Sequence, residues 1–142
     1  MLKLIHIRNF ALAENLRIEF GKGLNILTGE TGAGKSILIG AIAAVLGDRV
    51  YTDVVRTGFE KAFVDAIFDV ESLPPVKELL QSKGIEANSE LFLRREISIK
   101  GNSRAFINDV AVTVTTLSEI GDLLLDIHGQ HQHQSLLRRD TH

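Results

Sequence analysis

Residues Gly29 to Ser36 read Gly-Glu-Thr-Gly-Ala-Gly-Lys-Ser, a complete G-x-x-x-x-G-K-[ST] pattern. The apolar run Leu24-Asn25-Ile26-Leu27 precedes it, and a helical run from Ile37 to Leu46 follows. A strand, a glycine-rich turn and a helix in that order form a phosphate-binding loop. Its glycines keep side chains clear, so the backbone N–H groups of Gly29, Glu30, Thr31, Gly32, Ala33 and Gly34 can curl around an anion. The helix adds the positive end of its dipole. Lys35 is then placed to reach the β- and γ-phosphates, and Ser36 to ligate Mg2+. No other feature constrains the fold as strongly: the unit demands an α/β chain that binds a nucleoside triphosphate.

The chain has 142 residues, 44% hydrophobic and 24% charged, which suits one globular domain and leaves no room for a second full one. Its formal net charge of −2 creates no general attraction for nucleic acid, so any DNA contact needs a local patch or another part of a larger protein. There are no cysteines, which excludes disulfides and a Cys-ligated zinc and fits a reducing, cytoplasmic setting. The opening Met1 to Arg8 alternates and lacks a long apolar core, so neither a signal peptide nor a membrane span is expected.

Leu2 to Phe10 and Leu16 to Phe20 read as two short strands before the turn at Gly21-Lys22-Gly23. The helix Ser36 to Leu46 is expected to stop at Gly47. Ala62 to Val70 reads as a strand ended by Leu73-Pro74-Pro75, and Val76 to Ser82 as a helix ending near Gly84. Leu91 to Ile97 and Arg104 to Ile107 suggest a hairpin about Lys100-Gly101-Asn102, hence a small antiparallel sheet. Thr115 or Thr116 is the expected cap of a helix through Leu124, with Glu119 in its first turn. Beyond it lies His128-Gly129-Gln130-His131-Gln132-His133-Gln134, read as an ordered loop.

A small GTPase, a nucleotide kinase and an ATPase of the ABC and SMC kind all use such a phosphate loop. Asp126-Ile127-His128-Gly129-Gln130 fits the D-x-x-G-Q pattern of a GTPase, but no Asn-Lys-x-Asp segment is present to read guanine. Leu123-Leu124-Leu125-Asp126 imitates a Walker B strand, yet Ile127 stands where a catalytic glutamate belongs, and the chain contains no Ser-Gly-Gly signature segment.

The opening Leu4-x-Ile-x-Ile-Arg-Asn-Phe10, the loop Thr28 to Ser36, and Asp126-Ile-His-Gly-Gln-His-Gln-His-Gln-Ser-Leu-Leu137 resemble the RecN family of bacterial DNA repair proteins. The resemblance spans nearly the whole chain and implies an SMC-like ATPase of recombinational double-strand-break repair. The implied fold class is α/β, a P-loop NTPase head of ABC/SMC type. Residues 1–142 would be its N-terminal half: an incomplete lobe with a RecA-like core and an antiparallel β-subdomain, carrying Walker A and a glutamine loop. ATP and Mg2+ are the implied ligands. The implied partners are DNA through the full protein, the C-terminal half of the same head, and the second head of a homodimer that sandwiches ATP. The setting would be the cytoplasm, on the nucleoid. The full protein would hydrolyse ATP, whereas this segment alone would bind it weakly and turn it over negligibly.

By the same resemblance, Gln130 is the glutamine-loop residue that contacts Mg2+ and the attacking water, with Gln132 and Gln134 competing for that role. Arg8 and Asn9 would lie against the nucleotide, and Arg56 would be the arginine-loop cation near the phosphates or DNA. A solvated turn arginine is the plainer account of Arg56. His128, His131, His133 and His142 invite a metal reading, but they lack carboxylate or thiol partners at fixed spacing. Arg94, Arg95, Lys100 and Arg104 sit on one hairpin, although strand alternation sends Arg94 and Arg95 to opposite faces and argues against a single basic patch. Arg138 and Arg139 read as solvated. A non-catalytic module, in which ATP only orders a docking surface, is the competing functional class.

Overall fold

In the computed structural model the chain is described over residues 1–20 and 32–128. The expected strand Leu24 to Leu27, residues Gly29, Glu30 and Thr31, and the segment from Gly129 onward, including Gln130, Gln132, Gln134, His131, His133, His142, Arg138 and Arg139, lie outside the described residues.

The elements are β1 (Leu2–Phe10), β2 (Ala13–Glu19), α1 (Gly32–Val45), a 3-10 turn (Thr52–Val54), β3 (Lys61–Asp69), α2 (Pro74–Ser82), β4 (Glu90–Ser98), β5 (Ser103–Ile107), β6 (Val110–Val112) and α3 (Val114–His128). Among the described residues, the expected opening strand pair and the expected small antiparallel sheet join in one sheet of six strands in the order β2-β1-β3-β4-β5-β6. Each pairing is antiparallel, and β1 joins the halves by pairing with β2 on one side and β3 on the other. β6 has no counterpart in the sequence reading. It pairs with β5 through the two-residue turn Asn108-Asp109, both residues with positive φ, as the right-handed twist of a tight hairpin requires.

Alternation gives the sheet one closed face. Ile5 and Ile7, Val64 and Ala66, Leu91 and Leu93, and Ala105 and Ile107 are buried beneath the helices. From above, α1 contributes Ala41, Ala44 and Val45, and α3 contributes Leu117, Ile120 and Leu124, each set at helical spacing. Among the described residues no helix is long and apolar enough to cross a membrane.

The helix ends explain the chain's punctuation. Beyond α1, the Gly47 N–H bonds the Ala44 carbonyl at 3.1 Å and the Asp48 N–H bonds that of Ala43 at 3.0 Å, with Gly47 at φ +98°. This is a Schellman closure, in which the left-handed position favours glycine. Gly84 closes α2 in the same way. The cap of α3 is Thr113, not Thr115 or Thr116: its Oγ1 accepts the Thr116 N–H at 3.0 Å, so the helix begins two or three residues earlier than expected. Glu119 consequently falls beyond the first turn, where it meets Lys83 at 3.0 Å.

Candidate functional site

Gly32, Ala33 and Gly34 belong to α1, so the helix is already formed within the glycine-rich loop. Lys35 and Ser36 follow on its exposed side. The first turn carries no acidic residue, leaving the positive pole of the helix uncompensated from within. Such an end accepts phosphate oxygens, and an ammonium and a hydroxyl beside it suit a nucleotide's phosphates.

Alongside α1 runs a groove of about 680 Å3, bounded by Ser36, Ile37 and Gly40 on the helix, by Phe10 and Ala11 at the end of β1, and by Asp48 to Tyr51 and Val54. Its far wall is knitted to the β1–β2 turn. Phe10 bridges to Val55, the Ala11 N–H donates to the Val54 carbonyl, and the Arg56 N–H donates to the Asn9 carbonyl at 2.9 Å. Asn9 and Ala11 both take φ +54° here, which turns the backbone at this junction. The Arg56 guanidinium donates to the Leu12 carbonyl at 2.9 Å, so Arg56 clamps the β1–β2 turn.

Asn9 and Arg56 therefore meet beside the groove, whereas the Arg8 side chain goes to the open face of the sheet. Its guanidinium lies 4.6 Å from the centre of the Phe63 ring and 3.7 Å from Asp65. Asp65 is buried and takes a forked contact from Arg94, at 2.6 Å from Nε and 3.2 Å from Nη2. The hydrogen bond to Asp65 raises the Arg94 pKa. Arg104 leans toward Glu96 at 3.9 Å and over the Phe106 ring.

Arg95 points the other way, into the core, at 2% exposure. The opposite-face expectation for Arg94 and Arg95 holds, and the hairpin presents no single basic patch. The depth of Arg95 was missed because an arginine inside an alternating strand is ordinarily read as an outward residue. Its signal was position: Leu91, Leu93, Arg95 and Ile97 share one parity.

A family model described as AAA domain matches residues 2–135. DNA repair protein RecN of Bacillus subtilis (strain 168) is 46% identical over the whole chain, which spans 25% of that relative's length. DNA repair protein RecN of Haemophilus influenzae (strain ATCC 51907 / DSM 11121 / KW20 / Rd) is 43% identical over 99% of the chain and 26% of its own length. The chain thus spans about a quarter of the curated relatives it matches. A chain solved in a study of ATP-driven dimerization and DNA-stimulated activation of SMC ATPases superposes with a TM-score of 0.64 at 21% identity, covering 99% of both chains. The SMC head domain from Thermotoga maritima gives 0.57 at 20% identity over 83% of this chain and 41% of that one. The recombination mediator RecF in complex with ATPrS gives 0.58 at 18% identity over 82% and 29%. The fold is accordingly that of an ABC/SMC-type head lobe, of which the antiparallel sheet and its helices are the described part.

Proposed function

Because the chain belongs to the AAA-domain family, whose model covers residues 2–135, we propose that it is the ATP-binding part of an SMC-like ATPase acting in recombinational repair of DNA double-strand breaks. The observation that carries this reading is the phosphate-loop motif running directly into α1, with Lys35 and Ser36 exposed at the helix start. The likeness to the RecN relatives supplies the biological setting.

In this reading the backbone N–H groups from Gly29 to Gly34 hold the β-phosphate, Lys35 spans to the γ-phosphate, and Ser36 offers its hydroxyl as a ligand for Mg2+. Bound Mg2+ would neutralise charge on the β- and γ-oxygens. Gln130, just beyond α3, orients the attacking water. Asn9 and Arg56 tie together, from behind, the wall next to the bound nucleotide. Arg8 serves that wall indirectly, by bracing β1 through Phe63 and Asp65.

In-line attack also needs a carboxylate beside the water and a signature loop facing the γ-phosphate. The sequence holds neither a Walker B glutamate after Asp126 nor a Ser-Gly-Gly segment. Residues 1–142 therefore act as the N-terminal half of a composite head, completed by the C-terminal half and by the second head of a homodimer, with DNA engaged through the whole protein. The working place of that protein is the cytoplasm, on the nucleoid.

The test is an ATP titration of this chain with Mg2+, followed by turnover with the remainder of the protein supplied in trans. Binding that Lys35→Ala weakens, negligible turnover alone and a gain in trans are expected. Binding without any gain in turnover would instead favour a module that ATP merely orders.

A further inference from the structure

The phosphate-loop helix is fastened at the end remote from the loop. Arg95 Nη1 donates to the carbonyls of Ala44 at 2.7 Å and Asp48 at 2.9 Å, and Nε donates to Ser103 Oγ at 2.7 Å. One side chain thereby ties β4 and β5 to the last turn of α1 and to Asp48, three residues beyond it. Burial opposes the charge and lowers the Arg95 pKa, with the nearby Asp48 acting in the opposite sense. The helix does not need this cation in order to end, since Gly47 and Asp48 already close it. An apolar side chain of similar volume would fill the space without the desolvation cost. What the guanidinium adds is direction: bonds to two carbonyls on either side of the helix end fix both the tilt and the rotation of α1.

The same end of α1 rests on α3, backbone against backbone. A Cβ at Gly47 would lie 2.5 Å from Ser118 Cα, and one at Gly121 would lie 2.1 Å from the Leu46 carbonyl oxygen. The turn closing α1 thus crosses α3 at a glycine from each, one leading back to Lys35 and Ser36, the other forward to His128. From Leu46 to Ser36 the helix spans about 15 Å, so a tilt of about 5° at the crossing moves Ser36 by roughly 1.3 Å.

We propose that Arg95 is a positioning residue for nucleotide hydrolysis: by pinning the far end of α1 to β4 and β5, it sets where Lys35 and Ser36 stand relative to α3. The proposal rests on the ATPase reading above. A misplacement of about 1 Å is enough to cost about 100-fold in rate. Phosphate binding by the loop amides is local to the loop and survives a rigid tilt of α1.

The experiment uses the full-length protein carrying Arg95→Met, Arg95→Lys or Ser103→Ala, assayed at a temperature where each is folded by circular dichroism. Arg95→Met is expected to lower kcat by about 30-fold or more while the Kd for a fluorescent ATP analogue with Mg2+ stays within about threefold. Arg95→Lys keeps the charge and donors for the carbonyls but has no Nε–H for Ser103 Oγ, and should fall between Arg95→Met and wild type. Ser103→Ala, losing one bond, should cost a few-fold in kcat and carries the same readout if Arg95→Met does not fold. An unchanged kcat, or kcat and affinity falling together in proportion to the folded fraction, would overturn the proposal. Spin labels on Ile39→Cys and Asp122→Cys give a readout independent of turnover: Arg95→Met should shift or broaden their distance distribution by more than about 1 Å. An unaltered distribution overturns the positioning role. A wild-type protein without Lys35-dependent turnover defeats the ATPase reading instead.

Discussion

Gly121→Ala separates helix propensity from packing, because the two predict opposite signs. In an exposed helix interior the change gains about 1 kcal/mol. In α3 the new methyl would sit 2.1 Å from the Leu46 carbonyl oxygen and 2.9 Å from its carbon. Both neighbours are backbone, so no rotamer change relieves the overlap, and the end of α1 must withdraw by about 1 Å. Overpacking of that kind costs about 3 kcal/mol at the upper end of its range. The withdrawal also stretches the 2.7 Å bond from Arg95 to Ala44, and hydrogen bonds to charged groups are worth about 1.5–3 kcal/mol. Because the bond is stretched rather than lost, only part of that is forfeited; set against the propensity gain, the net effect is a destabilisation of about 2–4 kcal/mol, a fall in Tm of roughly 10 °C for a domain of this size. Gly40→Ala is the control: its methyl would meet the Phe10 ring at 3.8 Å, an ordinary contact, so it should stabilise by about 0.5–1 kcal/mol. Thermal and urea unfolding of both variants decides the matter. A Gly121→Ala protein as stable as wild type would refute the crossing as described.

Asp65→Asn should destabilise by about 1–2 kcal/mol, discounted for the partial exposure of Arg94, because it leaves the guanidinium groups of Arg94 and Arg8 without their carboxylate. Combining it with Arg94→Met should recover part of the loss in a urea-unfolding cycle, and strict additivity would contradict the pairing. Asp109→Gly should stabilise by about 0.5 kcal/mol, since Asp109 sits at φ +69° in the β5–β6 turn, and an unaltered urea midpoint would count against strain there. Lys35→Ala in the full-length protein should abolish ATP turnover without lowering Tm, because Lys35 is exposed; residual turnover near the wild-type rate would remove it from the site.

The elements were legible where one periodicity dominated. Alternation in β3 and β4, glycine after α1 and α2, and the helical spacing of Leu117, Ile120 and Leu124 all reappear in the fold. β6 was not legible because three residues are too few for alternation to register, although Asn108-Asp109 between Ile107 and Val110 was a usable turn signal. The cap of α3 was misplaced because three threonines, Thr113, Thr115 and Thr116, compete within four positions, and only the bond from Thr116 N–H to Thr113 Oγ1 selects one. The phosphate loop was read from residue types because its chemistry is local. The partnership of Arg95 with α1 was not, since it joins residues about fifty positions apart and depends on strand register.

The open face of the sheet bears on where DNA is to be sought in the proposed repair ATPase. Arg8 stacks on Phe63, Arg94 lies over Phe92 and Arg104 over Phe106, each guanidinium paired with a ring on the same face. Asp65 lies between Arg8 and Arg94, and Glu96 between Lys61 and Arg104. A phosphate approaching this face would meet carboxylates already holding the cations, and would have to break those contacts before making its own. With a net charge of −2 there is no compensating attraction from the rest of the chain. The face is therefore built to stiffen the sheet, and under the proposed function a strong, salt-sensitive DNA contact is expected on other surfaces of the full protein.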